Sequence, residues 1–309
     1  MIKEYQRLKE KYLEDYKHLT KKYNVISTLR LLIAIALIFS AYKSFSTSEI
    51  EYLVSSVITL IAFLLLLIIH GKISWNRRIK KELIDINNDE ISYLKGEDTP
   101  YADGSEYIDF KHFFSFDLDF FGKNSLFQNL NRTAIYIGSK KLSELLLSLL
   151  TNSQILSNQQ AILELSKKIV WRQHLFSLSR ITKDSQEEYQ NLIKWSEFKQ
   201  RNTPKILYIV LYTTPILFIS SLIAFLLTKN PNFLYASIGS FLFNLALVVT
   251  QVKKIKREII NSDKIHDTVK KYGLIIEQIE NEKFDSEKLN SLKQKLTYKS
   301  GLASKQIKR

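Results

Sequence analysis

The chain has 309 residues, with 45 Lys and Arg against 31 Asp and Glu, giving a formal net charge of +14. It contains no Cys, which excludes disulfides and thiolate metal sites. A balance this basic points to nucleic acid or an anionic membrane surface, and a mean hydropathy of −0.10 hides the gathering of the apolar residues into four blocks.

Residues 1–24 have the spacing of an amphipathic cytoplasmic helix. Ile2, Tyr5, Leu8, Tyr12, Tyr16, Leu19 and Tyr23 recur every three or four positions on one face. Lys3, Lys9, Lys11, Lys17, Lys21 and Lys22 take the other. Two readings stand: a packing helix that runs on into the next segment, or a helix lying at the lipid surface with Tyr at headgroup depth. The first apolar block begins too far from Met1, behind this charged stretch, to be a cleaved signal peptide.

The apolar blocks are 25–41, 52–69, 206–227 and 233–252, and each approaches the roughly 20 residues that a helix needs to cross hydrocarbon. They group into hairpins at 25–70 and 205–252, the second turning at Thr228-Lys229-Asn230-Pro231. Arg30 stands near the start of the first block, where a long side chain can snorkel to the interface. The two hairpin turns carry only Lys43 and Lys229 as bases, whereas Arg77, Arg78, Lys80 and Lys81 follow the second block and Lys253, Lys254, Lys256 and Arg257 follow the fourth. By the positive-inside rule both termini and the middle segment are cytoplasmic, and the expected home is the bacterial cytoplasmic membrane. Pro215 predicts a kink in the third crossing, with Thr213 and Thr214 placed to satisfy the freed carbonyl.

The middle segment, 71–204, reads as soluble and helical. Residues 96–104 hold turn formers, and 113–121 alternate partly, as a short strand would. Leu142, Leu145, Leu146, Leu149 and Leu150 fall on one core-facing stripe. Ala161, Ile162, Leu165 and Ile169 form another, with Ser157 or Asn158 as the helix cap. Tyr189, Leu192 and Ile193 mark a further helix, closed by Asn202-Thr203-Pro204. Residues 253–309 predict lever-like helices: Ile265, Val269, Tyr272, Ile276 and Ile279 form a coiled-coil-like seam, and Asp285-Ser286 caps a last helix. The expected fold class is all-α, with four transmembrane helices in two hairpins and a cytoplasmic helical domain.

No catalytic constellation is visible. No Gly-x-x-x-x-Gly-Lys-Ser/Thr loop occurs, and His18, His70, His112, His174 and His266 lack ligand spacing. Asp117 and Asp119 share one face of the expected strand beside a turn, a structural arrangement. Asn131-Arg132-Thr133 matches a glycosylation acceptor, but on the side expected to be cytoplasmic.

The stretch 116–175 contains Phe-Asp-Leu-Asp-Phe-Phe-Gly-Lys-Asn-Ser-Leu-Phe-Gln-Asn-Leu-Asn-Arg-Thr-Ala-Ile-Tyr-Ile-Gly, then a leucine-rich helix and Trp171-Arg-Gln-His-Leu175. It resembles the core domain of the MutS DNA mismatch-recognition family. The pattern falls on Asp117, Asp119, Gly122, Ser125, Leu126, Leu130, Arg132, Thr133, Gly138 and Leu142, and covers about a fifth of the chain directly. The resemblance implies a core and lever scaffold in which Arg132 and Thr133 fix a helix junction and do not read bases. It also implies DNA as a partner, and ATP with Mg in longer members that carry the P-loop domain. This chain departs from the family: no mismatch-reading domain precedes residue 71, the second membrane hairpin follows Pro204 where a DNA clamp is expected, and the 309 residues hold no P-loop. The expectation is therefore a membrane-anchored MutS-like core and lever fragment, not itself an enzyme. It would have no catalytic, cofactor-binding or metal residues, and would work with an ATPase chain, with DNA or by self-association. The alternative is a structural membrane scaffold with no DNA or nucleotide ligand.

Overall fold

A computed structural model describes residues 1–47, 49–97, 99–182, 184–197, 205–298 and 301–304. Among them the fold is helical, apart from a two-residue antiparallel pairing of β1 (Thr297–Tyr298) with β2 (Gly301–Leu302). The expected turn at Asn202-Thr203-Pro204, the side chains of the basic run after the fourth block and that of Ile265 lie outside the described residues.

The chain divides into two compact units, Met1–Ser185 with Lys271–Arg309, and Gln186–Lys270. In the first, α1 (Ile2–Thr47) and α2 (Ile50–Leu94) form a long antiparallel hairpin. Both are long and apolar enough to cross a membrane, and the apolar windows are only 6% and 0% buried. α2 changes character along its length. Over 52–69 apolar side chains face every direction, as with Ile58, Leu65 and Ile68, all more than half exposed. Beyond Trp75 only one stripe is buried, Ile79, Leu83, Ile86, Asn87 and Ile91, which is the pattern of a helix packed on one side in water.

That stripe builds the core. Leu8 and Tyr12 of α1, Ile79 and Leu83 of α2, Leu178 and Ile181 of α6 (Ile169–Thr182), and Ile275 of α9 (Pro231–Glu280) bury one another. The amphipathic face of 1–24 is thus a packing face, and one unbroken α1 carries it into the first apolar block. Around the core, Arg180 of α6 bridges Glu82 and Asp89 of α2 at 3.2 and 2.6 Å, and Lys80 of α2 reaches Asp15 of α1 at 2.7 Å. The seam expected at the end of α9 packs within the chain, with Ile275 rather than Ile276 the buried residue.

α3 (Leu126–Leu130), α4 (Tyr136–Leu147) and α5 (Asn152–Lys167) complete the first unit before α6, and α10 (Glu287–Gln294) closes it. α5 begins earlier than the sequence suggested. Its cap is Thr151, whose hydroxyl accepts from Gln154 N while the Gln154 side chain accepts from Thr151 N, a reciprocal capping box that outcompetes Ser157 and Asn158. The leucine stripe of α4 is not a core stripe: α4 ends at Leu147, Leu149 is 79% exposed, and Ser143 is the buried residue. Ser286 caps α10 as expected, and Glu164 of α5 accepts from Asp285 N and Ser286 N at 3.0 and 2.7 Å.

The second unit holds α7 (Gln186–Glu197), α8 (Lys205–Thr228) and the first part of α9. α8 runs through Pro215 as one helix. Thr214 donates across the hairpin to Asn244 Oδ1 at 2.7 Å, beside the Phe218–Phe241 ring contact. Tyr212–Thr228, the part of α8 with described side chains, is apolar and largely exposed.

Candidate functional site

The motif residues of 116–142 lie at the end of α2 farthest from the α1–α2 turn, where residues 96–131 fold back as a looped lobe. The expected strand at 113–121 is absent. Leu118 N, Asp119 N and Phe120 N bond to Phe114 O, Phe116 O and Ser115 O, which makes consecutive turns. Asp119 takes a left-handed φ of 49°, and no neighbouring strand exists to pair with an extended segment. Asp117 and Asp119 are consequently exposed turn residues, not a pair on one strand face.

Backbone capture is the main occupation of the other motif residues. Gly122 (φ 108°) donates N–H to Asp103 O at 2.9 Å. Ser125 caps α3 by accepting from Gln128 N at 3.3 Å, and its own hydroxyl donates to Asp103 O. Buried Asn131 donates to Ala102 O at 3.0 Å and accepts from both Thr133 N and Thr133 Oγ1 at 3.0 and 2.6 Å. Leu126 is exposed, while its neighbour Phe127 is wholly buried. Gly104 stands against that ring: its φ is 73°, and a Cβ there would meet Phe127 Cδ1 at 2.6 Å. Gly138 sits in the first turn of α4, where a Cβ would make ordinary contacts with Ile135 and Thr133, so the conformation makes no demand for glycine there.

Arg132 is the hub of the junction. Its Nε donates to Glu90 Oε1 at 2.5 Å, and Nη1 donates to Asn131 O at 2.9 Å. The guanidinium lies 4.0 Å from the Tyr101 ring centre and 4.7 Å from that of Tyr93. Tyr101 OH also donates to Glu90, at 3.1 Å. Burial and then the Glu90 charge push the Tyr101 phenol well above its ordinary range, so it stays a donor. One carboxylate on α2 therefore holds both the start and the end of the looped lobe. Asp184 makes a parallel clamp, accepting from Tyr136 N and Tyr272 OH at 2.9 and 2.8 Å.

Two features escaped the sequence reading. Asn87 and Gln173 form a buried reciprocal amide pair between α2 and α6, at 2.9 and 3.3 Å. Both had read as ordinary polar residues on helices, and only their position on the buried stripe could have marked them. The aromatic lobe also turns Phe110, Phe113, Phe116 and Leu118 outward, each more than half exposed. A shallow hollow of 590 Å³ lies beside α6, lined by Trp171, His174 and Gln278 among others. Among the described residues no three His, Asp or Glu side chains converge as metal ligands.

The fold defines a helical protein with two helices long and apolar enough to cross a membrane, joined to a packed helical unit held by buried polar clamps. Compared with protein-family models, with curated proteins and with solved structures, the chain matches none.

Proposed function

We propose that the chain is an integral membrane protein whose four apolar blocks cross the bilayer as two hairpins, with the termini and 71–204 on the cytoplasmic side. Its helical unit would serve as a membrane-tethered scaffold of the MutS core and lever type. The observation that carries the membrane reading is the change along α2 from side chains exposed all round to a single buried stripe. In water the first pattern would leave an apolar surface far beyond what soluble monomers expose. In lipid it is the expected one. The chain has no Cys, so single cysteines report topology cleanly. Ser46→Cys should react with an impermeant maleimide from outside the cell, and Ser105→Cys only after the membrane is opened. Extraction of the whole chain by an alkaline wash without detergent would overturn the reading.

The MutS-like reading is supported by the residues of 116–142, whose side chains are committed to holding backbone at a helix junction, the role the resemblance implies. On this reading the scaffold couples nucleotide state in an ATPase domain to the hairpins. DNA is the ligand class to test. With the chain in zwitterionic nanodiscs, mismatched duplex binding should weaken steeply over a salt series if Lys and Arg track phosphates. No binding without anionic lipid removes DNA and leaves a structural scaffold.

A further inference from the structure

Where the first hairpin meets its cytoplasmic end, the charges are all of one sign. Residues 16–48 and 52–81 contain no Asp or Glu, yet they carry Lys17, Lys21, Lys22, Arg30, Lys72, Arg77 and Arg78 around this level. Among the described residues no carboxylate pairs with Arg30. Its one polar side-chain contact there is Nη1 to His70 Nδ1, at 3.5 Å. Tyr23 packs on His70 with ring centres 4.4 Å apart, and Arg77 covers the other side of Tyr23 at 4.0 Å. His70 Nε2 is buried with no partner. A cation about 8 Å inside the start of an apolar block, counted from Val25 at the helical rise, needs an anion or water to be tolerated.

The surface beside Arg30 is shaped for such an anion. A groove of 440 Å³ is lined by Ser27, Thr28 and Arg30 at one end and by Leu31, Ala34 and Phe63 at the other. The polar end faces the cytoplasmic interface and the apolar end runs toward the bilayer centre, the polarity of a phospholipid. We propose that this groove holds one anionic phospholipid. Its phosphate is bound by the Arg30 guanidinium, whose planar fork matches two phosphate oxygens, and an acyl chain lies along Leu31, Ala34 and Phe63. Zwitterionic lipid fits less well, because its ammonium would enter a field already set by Arg77, Lys72 and Lys22.

The assignment rests on the membrane-spanning reading, and the test separates the two. The whole chain in nonionic detergent is incubated with equal amounts of phosphatidylglycerol and phosphatidylcholine, and bound lipid is counted by native mass spectrometry. The wild type should retain one phosphatidylglycerol. Arg30→Gln should weaken retention about tenfold, the loss of one charge-assisted hydrogen bond. Ala34→Phe keeps the charge but fills the groove, and should also lose the lipid. Lys43→Gln, at the opposite end of the hairpin, should behave as wild type. Displacement of the lipid by inorganic phosphate alone would mean a free-anion site and overturn the lipid assignment. Wild-type retention by both Arg30→Gln and Ala34→Phe in a chain that still needs detergent would sink the groove and leave the membrane reading standing. Solubility without detergent would sink both.

Discussion

At the residue scale, a few polar side chains hold segments that are far apart in sequence. Glu90 and Arg132 are 14% and 26% exposed, so their pairing is only partly screened by solvent. Arg132→Ala frees both ends of the looped lobe and leaves Glu90 half-buried with one fewer donor. The expected loss is about 2 kcal/mol, read as a lowered thermal midpoint in detergent. Arg132→Lys should recover only part of it, since an ammonium cannot reproduce the fork and the stacking on Tyr93 and Tyr101. The Asn87–Gln173 pair makes a sharper prediction. Asn87→Leu leaves the Gln173 amide buried without its partner and should cost about 2 kcal/mol, whereas Asn87→Leu with Gln173→Leu should cost less than the two singles added. A double-mutant cycle that sums to zero coupling would contradict the geometry. His174 sets the pH response. Burial first, and Lys80 second, hold its imidazole below the ordinary value of 6.5 in the folded chain. Unfolded protein thus takes up the proton at a higher pH than folded protein. Stability should fall as pH drops below about 6.5 and level off once the folded imidazole titrates. His174→Gln should flatten that slope in melts run between neutral and mildly acid pH.

At the element scale, α2 carries the most information, because one uninterrupted helix is a lipid-type rod at one end and the wall of a packed core at the other. The two halves were legible from residue pattern alone: an apolar run without period, then a stripe at spacings of three and four. Start points were less legible. Thr151 defeats Ser157 and Asn158 because Gln154, three residues on, closes the capping box. Thr151→Ala should cost about 1 kcal/mol, with the loss confined to α5 in hydrogen exchange. The 113–121 segment shows the opposite failure. Partial alternation of Phe with polar residues resembles a strand, but a strand needs a partner, and the left-handed Asp119 and Gly122 turn the chain before one can form. What anchors the segment instead is Phe127 of α3, wholly buried against Tyr107 and Phe121 at ring distances of 5.6 and 5.5 Å. Phe127→Ala should cost about 3 kcal/mol or more and release the lobe to proteolysis ahead of the α1–α2 core.

At the scale of the whole molecule, the net charge of +14 and the four apolar blocks have one common account. Bases flank the blocks on one side, where they set orientation and meet anionic lipid headgroups. The purified chain should therefore associate more strongly with phosphatidylglycerol vesicles than with phosphatidylcholine vesicles, and the preference should shrink as salt rises for the exposed lysines, which solvent ions screen. The Arg30 groove, set into the hairpin, should keep its lipid at salt concentrations that erase the surface preference.

Local order and polarity determined the helical class, the positions of the apolar blocks, the caps at Ser125 and Ser286 and the one-sided placement of charge, because each depends on residues within a turn or two of one another. The partners of Glu90, Asn87 and Asp184, the choice of Ile275 over Ile276 and the outward turn of the leucines after α4 depended on which helices came to lie side by side. Those outcomes join residues separated by tens of positions, so no spacing along the chain encodes them. They follow from the packing of α1, α2, α6 and the end of α9 into one core, where the polar atoms left inside had to find each other.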